Sequence, residues 1–320
     1  MSKIAIYILL IVLGALAAYI ILEDLIKNEM LIRAENPYAF DLKEFEEVDP
    51  ALIKYHETKR VKLDNPFPKA IDYHKGFLAM AFQNHLQVID TSGREIFNRK
   101  VPGPSTAICI SEKKIIYLGC KTRLEVYDFW GDLLDTWQEI DTGAYITSIA
   151  IVGGKLFVAN AGGPEIIRYD KQGEIELKFD GKNQESKDHG FVVPSPYFDV
   201  DIDPEDDLWI ANTGLQNIQN YTKSGSLRGY WGNSGYNAED FTGCCNPAHF
   251  TILSDGSFVT CEKGLVRIKV HKPSGKLDAF VAAPKDFAKN SGPLDLASDE
   301  HDHIYALDIT QKMVRKFERK

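Results

Sequence analysis

From residue 66 onward, short hydrophobic runs alternate with polar turns, and the pattern recurs as one unit six times. The clearest element of each unit is a β-hairpin. Its first arm reads GFLAMAF from Gly76, KIIYLGC from Lys114, KLFVANA from Lys155, DLWIANT from Asp207, SFVTCEK from Ser257 and HIYALDI from His303. Its second arm reads LQVID from Leu86, LEVYD from Leu124, EIIRYD from Glu165, NIQNYT from Asn217, LVRIKVHK from Leu265 and KMVRKFE from Lys312. Glycine turns follow at Gly93, Gly131, Gly173, Gly225 and Gly275, three of them opened by an aspartate that can bond its own backbone (Asp90, Asp128, Asp170). A further strand precedes each hairpin, starting at Ala70, Ala107, Ser148, Asp199, His249 and Asp295. The small residue inside each first arm (Ala81, Gly119, Ala159, Ala211, Thr260, Ala306) lies 11 or 12 positions after that start in all six units.

Strands after the glycine turns complete four per unit: EIFNR, LLDTW, EIELKF, SLRGYW and KLDAFV. Four antiparallel strands repeated radially make a propeller blade, and small residues suit the crowded inner end. The sixth unit stops at Lys320 without a fourth strand, and residues 56–63 can supply it. The pattern predicts an all-β, six-bladed β-propeller over residues 56–320. Pairing of its N- and C-terminal strands closes the ring and removes two open edges.

The N-terminus reads differently. Residues 4–22, IAIYILLIVLGALAAYIIL, hold no charge over 19 positions, close to the roughly 20 apolar residues that span a bilayer as a helix. Three readings compete. An uncleaved transmembrane signal anchor over residues 1–22 is the one adopted. A cleaved signal peptide is the second, since Ala15-Leu16-Ala17 fits a small-x-small cleavage site. A buried helix is the third. Both of the first two put the remainder outside the cytoplasm. Residues 23–55 read as a helical stalk or linker, with Asp49-Pro50-Ala51-Leu52-Ile53 as a short capped turn.

The repeat resembles NHL-repeat six-bladed propellers, most closely from Pro194 to Gly225. The segment GCCNPAHF…DGSFVTCEKGLVRIKVH is similar to bacterial membrane-attached NHL proteins of unassigned function. The resemblance implies the bacterial inner membrane, with the propeller on the periplasmic side. It covers about residues 55–320 and carries no activity with it, because such propellers include protein-binding scaffolds, nucleic-acid binders and a few metal-dependent enzymes.

Composition narrows the role. The chain has 320 residues, 44% hydrophobic and 26% charged, as a globular protein with a core should. Its net charge of −9 argues against nucleic acid held on a basic surface. Five cysteines are too few for a disulfide scaffold. No phosphate-binding loop, nucleophile elbow or zinc-protease motif is present. The expected role is a ligand- or protein-binding module in a cell-envelope complex, held to the membrane by its N-terminal helix. The alternative is a metal-dependent hydrolase or lyase.

Candidate chemistry collects in the last three blades. The strand-start column there reads Asp199, His249, Asp295, and equivalent positions in equivalent strands point the same way. Two carboxylates and an imidazole are a plausible set for a divalent metal, the one cofactor these residues suggest. The competing reading has the carboxylates bonding the backbone of neighbouring blades. Cys244, Cys245 and Cys261 should approach the same channel end, as a disulfide, as free thiols, or with His249 around a soft metal. Glu262 and Arg267 read either as a charged rim for an anionic ligand or as a solvated turn with a salt bridge. Asn160 and Asn212 are expected to bond turns, and residues 300–303 to be exposed turn residues. Two longer loops, residues 181–193 and 232–243, should overhang the Asp199 and His249 side.

Overall fold

A computed structural model describes residues 12–23, 45–182 and 190–320. The chain divides into two units, Met1–Glu44 and Phe45–Lys320. In the first, residues 12–23 are helical. Among the described residues no helix is long and apolar enough to cross a membrane, and residues 4–11 of the expected span lie outside them. The transmembrane helix expected over residues 1–22 therefore has no support among the described residues. Residues 24–44 of the expected stalk also lie outside the described residues. The described remainder of that stalk, residues 45–55, is not α-helical and carries a 3-10 turn at Pro50–Leu52, whose N-cap Asp49 accepts the Ala51 N–H at 2.9 Å.

The second unit is a six-bladed propeller. Among the described residues, six antiparallel sheets of four strands each are arranged in sequence order. The inner strands are Pro68–His74, Ala107–Ile110, Ile146–Val152, Val200–Ile202, His249–Ile252 and Asp295–Ser298. Every expected outer strand is present, from Glu95–Lys100 in blade one to Leu277–Ala282 in blade five. Blade six takes its outer strand from the other end of the chain. Tyr55–Lys62 pairs antiparallel with Met313–Arg319, and Tyr55, expected at the end of the stalk, opens this closing strand.

Local chemistry explains the turns. Asp90, Asp128 and Asp170 each use Oδ1 to accept two backbone N–H groups of their own turn, and Gly173 follows at φ +89°. A Cβ on Gly173 would also stand 2.6 Å from the Trp137 ring, so this position needs glycine twice over. The small-residue column has a packing cause. A Cβ on Gly119 would meet Ile146 of the next blade at 2.8 Å. In blades one to three the small residue lies directly opposite the strand start, as in Ala70 with Ala81. In blades five and six it is one position off, since His249 faces Cys261 and Asp295 faces Leu307.

Apolar layers between adjacent blades form the core. Ala79, Leu86 and Val88 of blade one pack with Ile108, Ile116 and Leu118 of blade two. The ring-closing layer sets Ile71, Leu78 and Met80 against Ala297, Tyr305 and Leu307. Such interdigitated layers hold the six inner strands at fixed spacing around the channel.

Candidate functional site

The inner strands have a neighbour on only one side, so their channel-facing N–H groups need partners. Side chains from the preceding blade supply them. Asp199 accepts Val200 N–H at 3.0 Å and, across the gap, Phe250 N–H of blade five at 2.9 Å. Asp295 accepts Leu296 N–H at 3.0 Å and Ile71 N–H of blade one at 2.8 Å. Asp72 reaches Ile110 of blade two at 2.7 Å, and Asp201 reaches Thr251 and Ile252 of blade five at 3.1 Å each. The inter-blade bonding weighed for Asp199 and Asp295 is thus realised.

It does not use up the site. His249 stands between those two carboxylates, with Nδ1 3.2 Å from Asp295 Oδ1 and 3.6 Å from Asp199 Oδ2. The three ligand atoms lie within 4.8 Å of one another, the one such group of three or more among the described residues. Burial disfavours the charged imidazole, but Asp295 and then Asp199 outweigh it and raise the His249 pKa to about 10. With this proton on, His249 is an imidazolium clamped by two carboxylates. Below lies a small channel cavity of about 70 Å³, lined by Asp72, Asp199, Asp201 and Asp295.

Asp72 and Asp201 escaped the sequence reading, which followed only the strand-start column. They sit two positions after Ala70 and Asp199, on the same strand face, so the period-two rule would have found them. Burial pushes the Asp72 carboxyl up to about 6 and that of Asp201 to about 7. Tyr197 was also missed. Its ring meets His249 edge-on at 5.7 Å, and Lys263 Nζ lies 5.3 Å from its centre.

The fifth-blade cysteines come out differently. Cys261 is the cross-strand partner of His249, as the register argument required. Its thiol is buried, accepts Leu294 N–H at 3.2 Å and is pushed well up by burial. All five cysteines are free thiols, and of the fifth-blade three only Cys244 is exposed. Neither the disulfide nor the soft-metal set with His249 is formed.

Glu262 and Arg267 are neither a rim nor a solvated turn. They are 0% and 2% exposed and form an ion pair at 2.7 Å that Lys269, also fully buried, joins at 2.8 Å. The reason is the loop after residue 231. Lys269 donates to the Asp240 carbonyl at 2.7 Å and the Ala238 carbonyl at 3.2 Å. Arg267 donates to the Asp240 carbonyl at 2.7 Å, and Glu262 accepts Thr242 N–H at 2.8 Å. Burial draws the Lys269 ammonium down to about 8, against the pull of Glu262. These charges pin a loop at the channel end of blade five. Asn246 pins it from the other side, donating to the Thr242 and Lys263 carbonyls.

Asn212 does the same for the earlier loop, accepting Val192 N–H at 2.9 Å and donating to the Gly190 carbonyl at 3.0 Å. Asn160 bonds Tyr145 and Gly162 N–H groups. Both are turn-bonding residues, as expected. The described parts of both long loops are therefore anchored at the end that carries Asp199 and His249; residues 183–189 lie outside the described residues.

No protein-family model matches the chain, and no curated protein does. Solved propellers match in structure. A streptogramin B lyase structure aligns with a TM-score of 0.59 at 14% identity over 85% of this chain and all of that one. The virginiamycin B lyase of Staphylococcus aureus aligns at 0.54 and 16% identity, over 82% of this chain and 88% of that one. The calcium-binding protein regucalcin of Agrobacterium tumefaciens aligns at 0.58 and 11% identity, over 82% and 94%. At these identities the likeness is one of fold.

Proposed function

We propose that this propeller is a binding module whose ligand is taken at the channel mouth, by Asp199, His249 and Asp295. The observation that carries the reading is their convergence to within 4.8 Å at the end where both long loops are anchored. Two carboxylates against one imidazolium leave a net negative mouth, and the cavity below adds Asp72 and Asp201, which carry part of their charge at neutral pH. That charge favours a cationic ligand. A divalent ion fits the donor set: carboxylate oxygens from Asp199 and Asp295 and Nδ1 of His249.

Such an ion has to displace the His249 proton. With a pKa of about 10, its uptake at neutral pH releases close to one proton. Calorimetric titration of the protein with Ca²⁺, Mn²⁺ and Zn²⁺ in buffers of different ionisation enthalpy measures both affinity and proton release. Binding that tightens with pH and disappears in Asp295→Ala supports the reading. No binding of any of the three ions, with Asp295→Ala indistinguishable, overturns the divalent-ion form. A metal-loaded protein that turned over a substrate would move the assignment to the hydrolase or lyase alternative.

The repeat is of NHL type in this reading, and residues 4–22 anchor the propeller in the bacterial inner membrane, on its periplasmic side. The supports are the uncharged 19-residue run and the hairpin motifs. Extraction of membranes at alkaline pH tests the anchor: an anchored chain stays in the pellet, and release into the supernatant excludes it.

A further inference from the structure

At the opposite end of blade six, residues 299–303 form the turn between the inner strand and the next, and two histidines and a glutamate line the cleft beside it. We propose a transition-metal site at this far face, between blades five and six, built from His303, His301 and Glu318 and suited to Zn²⁺.

The argument begins with His303. Its Nδ1 lies 2.8 Å from Asp299 Oδ2. Asp299 is itself locked: its Oδ1 accepts the His301 and His303 backbone N–H groups, and its Oδ2 accepts the Tyr305 hydroxyl at 3.0 Å. With all these donors on the carboxylate, the bond to His303 carries its proton on Nδ1 and leaves the Nε2 lone pair outward. A carboxylate behind one ring nitrogen, with the other nitrogen free, is how metal-binding imidazoles are held.

The outward nitrogen has an acidic partner. His303 Nε2 lies 3.9 Å from Glu318 Oε1. Two ligand atoms on a tetrahedral zinc ion stand about 3.4 Å apart, given bonds of about 2.0–2.2 Å. The three ligand atoms do not stand within 4.8 Å of one another, so the site forms when Glu318 turns Oε2 and the exposed His301 turns its ring toward His303 Nε2. Glu318 is held by Lys316 at 2.7 Å and Thr58 at 3.2 Å, both on Oε1, which leaves Oε2 for the ion. The exposed His301 ring is 5.8 Å from that of His303, centre to centre, and can supply a second imidazole.

These three side chains line one cleft of about 640 Å³, into which Asp255, Asp278 and Asp302 also face. Lys272 and Arg319 are the cations on its wall, and Lys316 and Lys54 pair with Glu318 and Asp278 from its edge, so the lining carboxylates are largely offset and the pull on a metal comes from the ligand atoms themselves. Two imidazoles and a carboxylate favour zinc over calcium or magnesium, which prefer all-oxygen sets. This site shares no residue with the channel mouth and stands or falls independently of it.

The test uses the full chain and Zn²⁺ alone, in competition with a chromophoric chelator, with Co²⁺ absorption as a report of nitrogen ligation. His249→Ala removes the mouth and should leave this site intact. His303→Ala, or His301→Ala at the exposed position, should weaken the remaining zinc binding more than about 100-fold. Asp299→Asn should weaken it about 10- to 100-fold, the usual cost of losing a carboxylate behind a ligating histidine. Glu318→Gln should weaken it without changing the melting temperature. Zinc binding that survives His303→Ala and His301→Ala unchanged overturns the proposal. So does a His249→Ala protein that binds no zinc, a result that leaves the reading of the mouth untouched.

Discussion

The His249 Nδ1 lies 3.2 Å from Asp295 Oδ1, a contact that joins the start of blade five to the start of blade six at the channel mouth. The pair holds the imidazole charged: opposed by burial, Asp295 and Asp199 raise its pKa to about 10, above the ordinary value of 6.5. A base whose folded pKa is raised contributes stability in full below its unfolded pKa and loses it as pH climbs through the folded one. The contribution of His249 should therefore be complete below pH ~6.5 and fade toward pH ~10. In NMR its Hε1 signal should stay at the imidazolium position from pH 5 to 8. A midpoint near the ordinary histidine value would refute the clamp.

Asp199 links its own blade to the next, accepting Val200 and Phe250 N–H groups. Asp199→Ala leaves the blade-five N–H without its partner beside an apolar layer. One orphaned buried donor costs about 1–3 kcal/mol. Denaturant unfolding should show a loss in that range or somewhat above it. A variant as stable as the parent would mean that water replaces the carboxylate at no cost.

Most of the architecture was legible because a propeller writes itself six times. Turn aspartates, turn glycines and small inner residues each repeat, and the missing fourth strand of blade six pointed to residues 56–63. The mouth was legible for a related reason: Asp199, His249 and Asp295 occupy one repeat position. What the sequence hid is non-periodic. Glu262, Arg267 and Lys269 look like surface charges on a hairpin, and only the loop folded over them makes them interior. Nothing in a one-dimensional pattern marks which charged residues a 12-residue loop will cover. The cysteines mislead similarly, since Cys261 has the right register but its thiol is spent on the Leu294 N–H.

That buried group gives the next prediction. Glu262 is the one carboxylate shared by Arg267 and Lys269, at 2.7 and 2.8 Å. Glu262→Gln would leave two buried cations without their anion, which costs about 3–5 kcal/mol. The loss should centre on the loop: amide hydrogen exchange should accelerate over residues 233–247 before the rest of the propeller responds. Uniform acceleration across all blades would show that Glu262 supports the whole ring instead.

The last prediction concerns closure. Residues 50–54 run beside the outer strand of blade five, with Ile53 bridging Phe280 and Lys54 Nζ 3.0 Å from Asp278. The strand Tyr55–Lys62 then completes blade six. Its Glu57 meets Arg315, a side chain only 2% exposed, through Nη2 at 2.8 Å and Nε at 3.0 Å. Burial works against the Glu57 charge, but Arg60 and Arg315 hold its carboxyl down at about 2. Removing residues 1–44 touches none of this, so the shortened chain should keep a cooperative melt. Removing residues 1–62 takes away the strand, opens an edge along Met313–Arg319 and leaves the buried Arg315 guanidinium with only the more distant Asp308, at 3.9 Å, as its anion. That chain should aggregate or lose cooperative melting, and a synthetic peptide of residues 55–62 added in trans should partly restore it by strand addition. Glu57→Gln separates the two causes, since it keeps the strand and removes only the charge partner. A chain lacking residues 1–62 that melts cooperatively at the parent temperature would show that the ring closes without this strand.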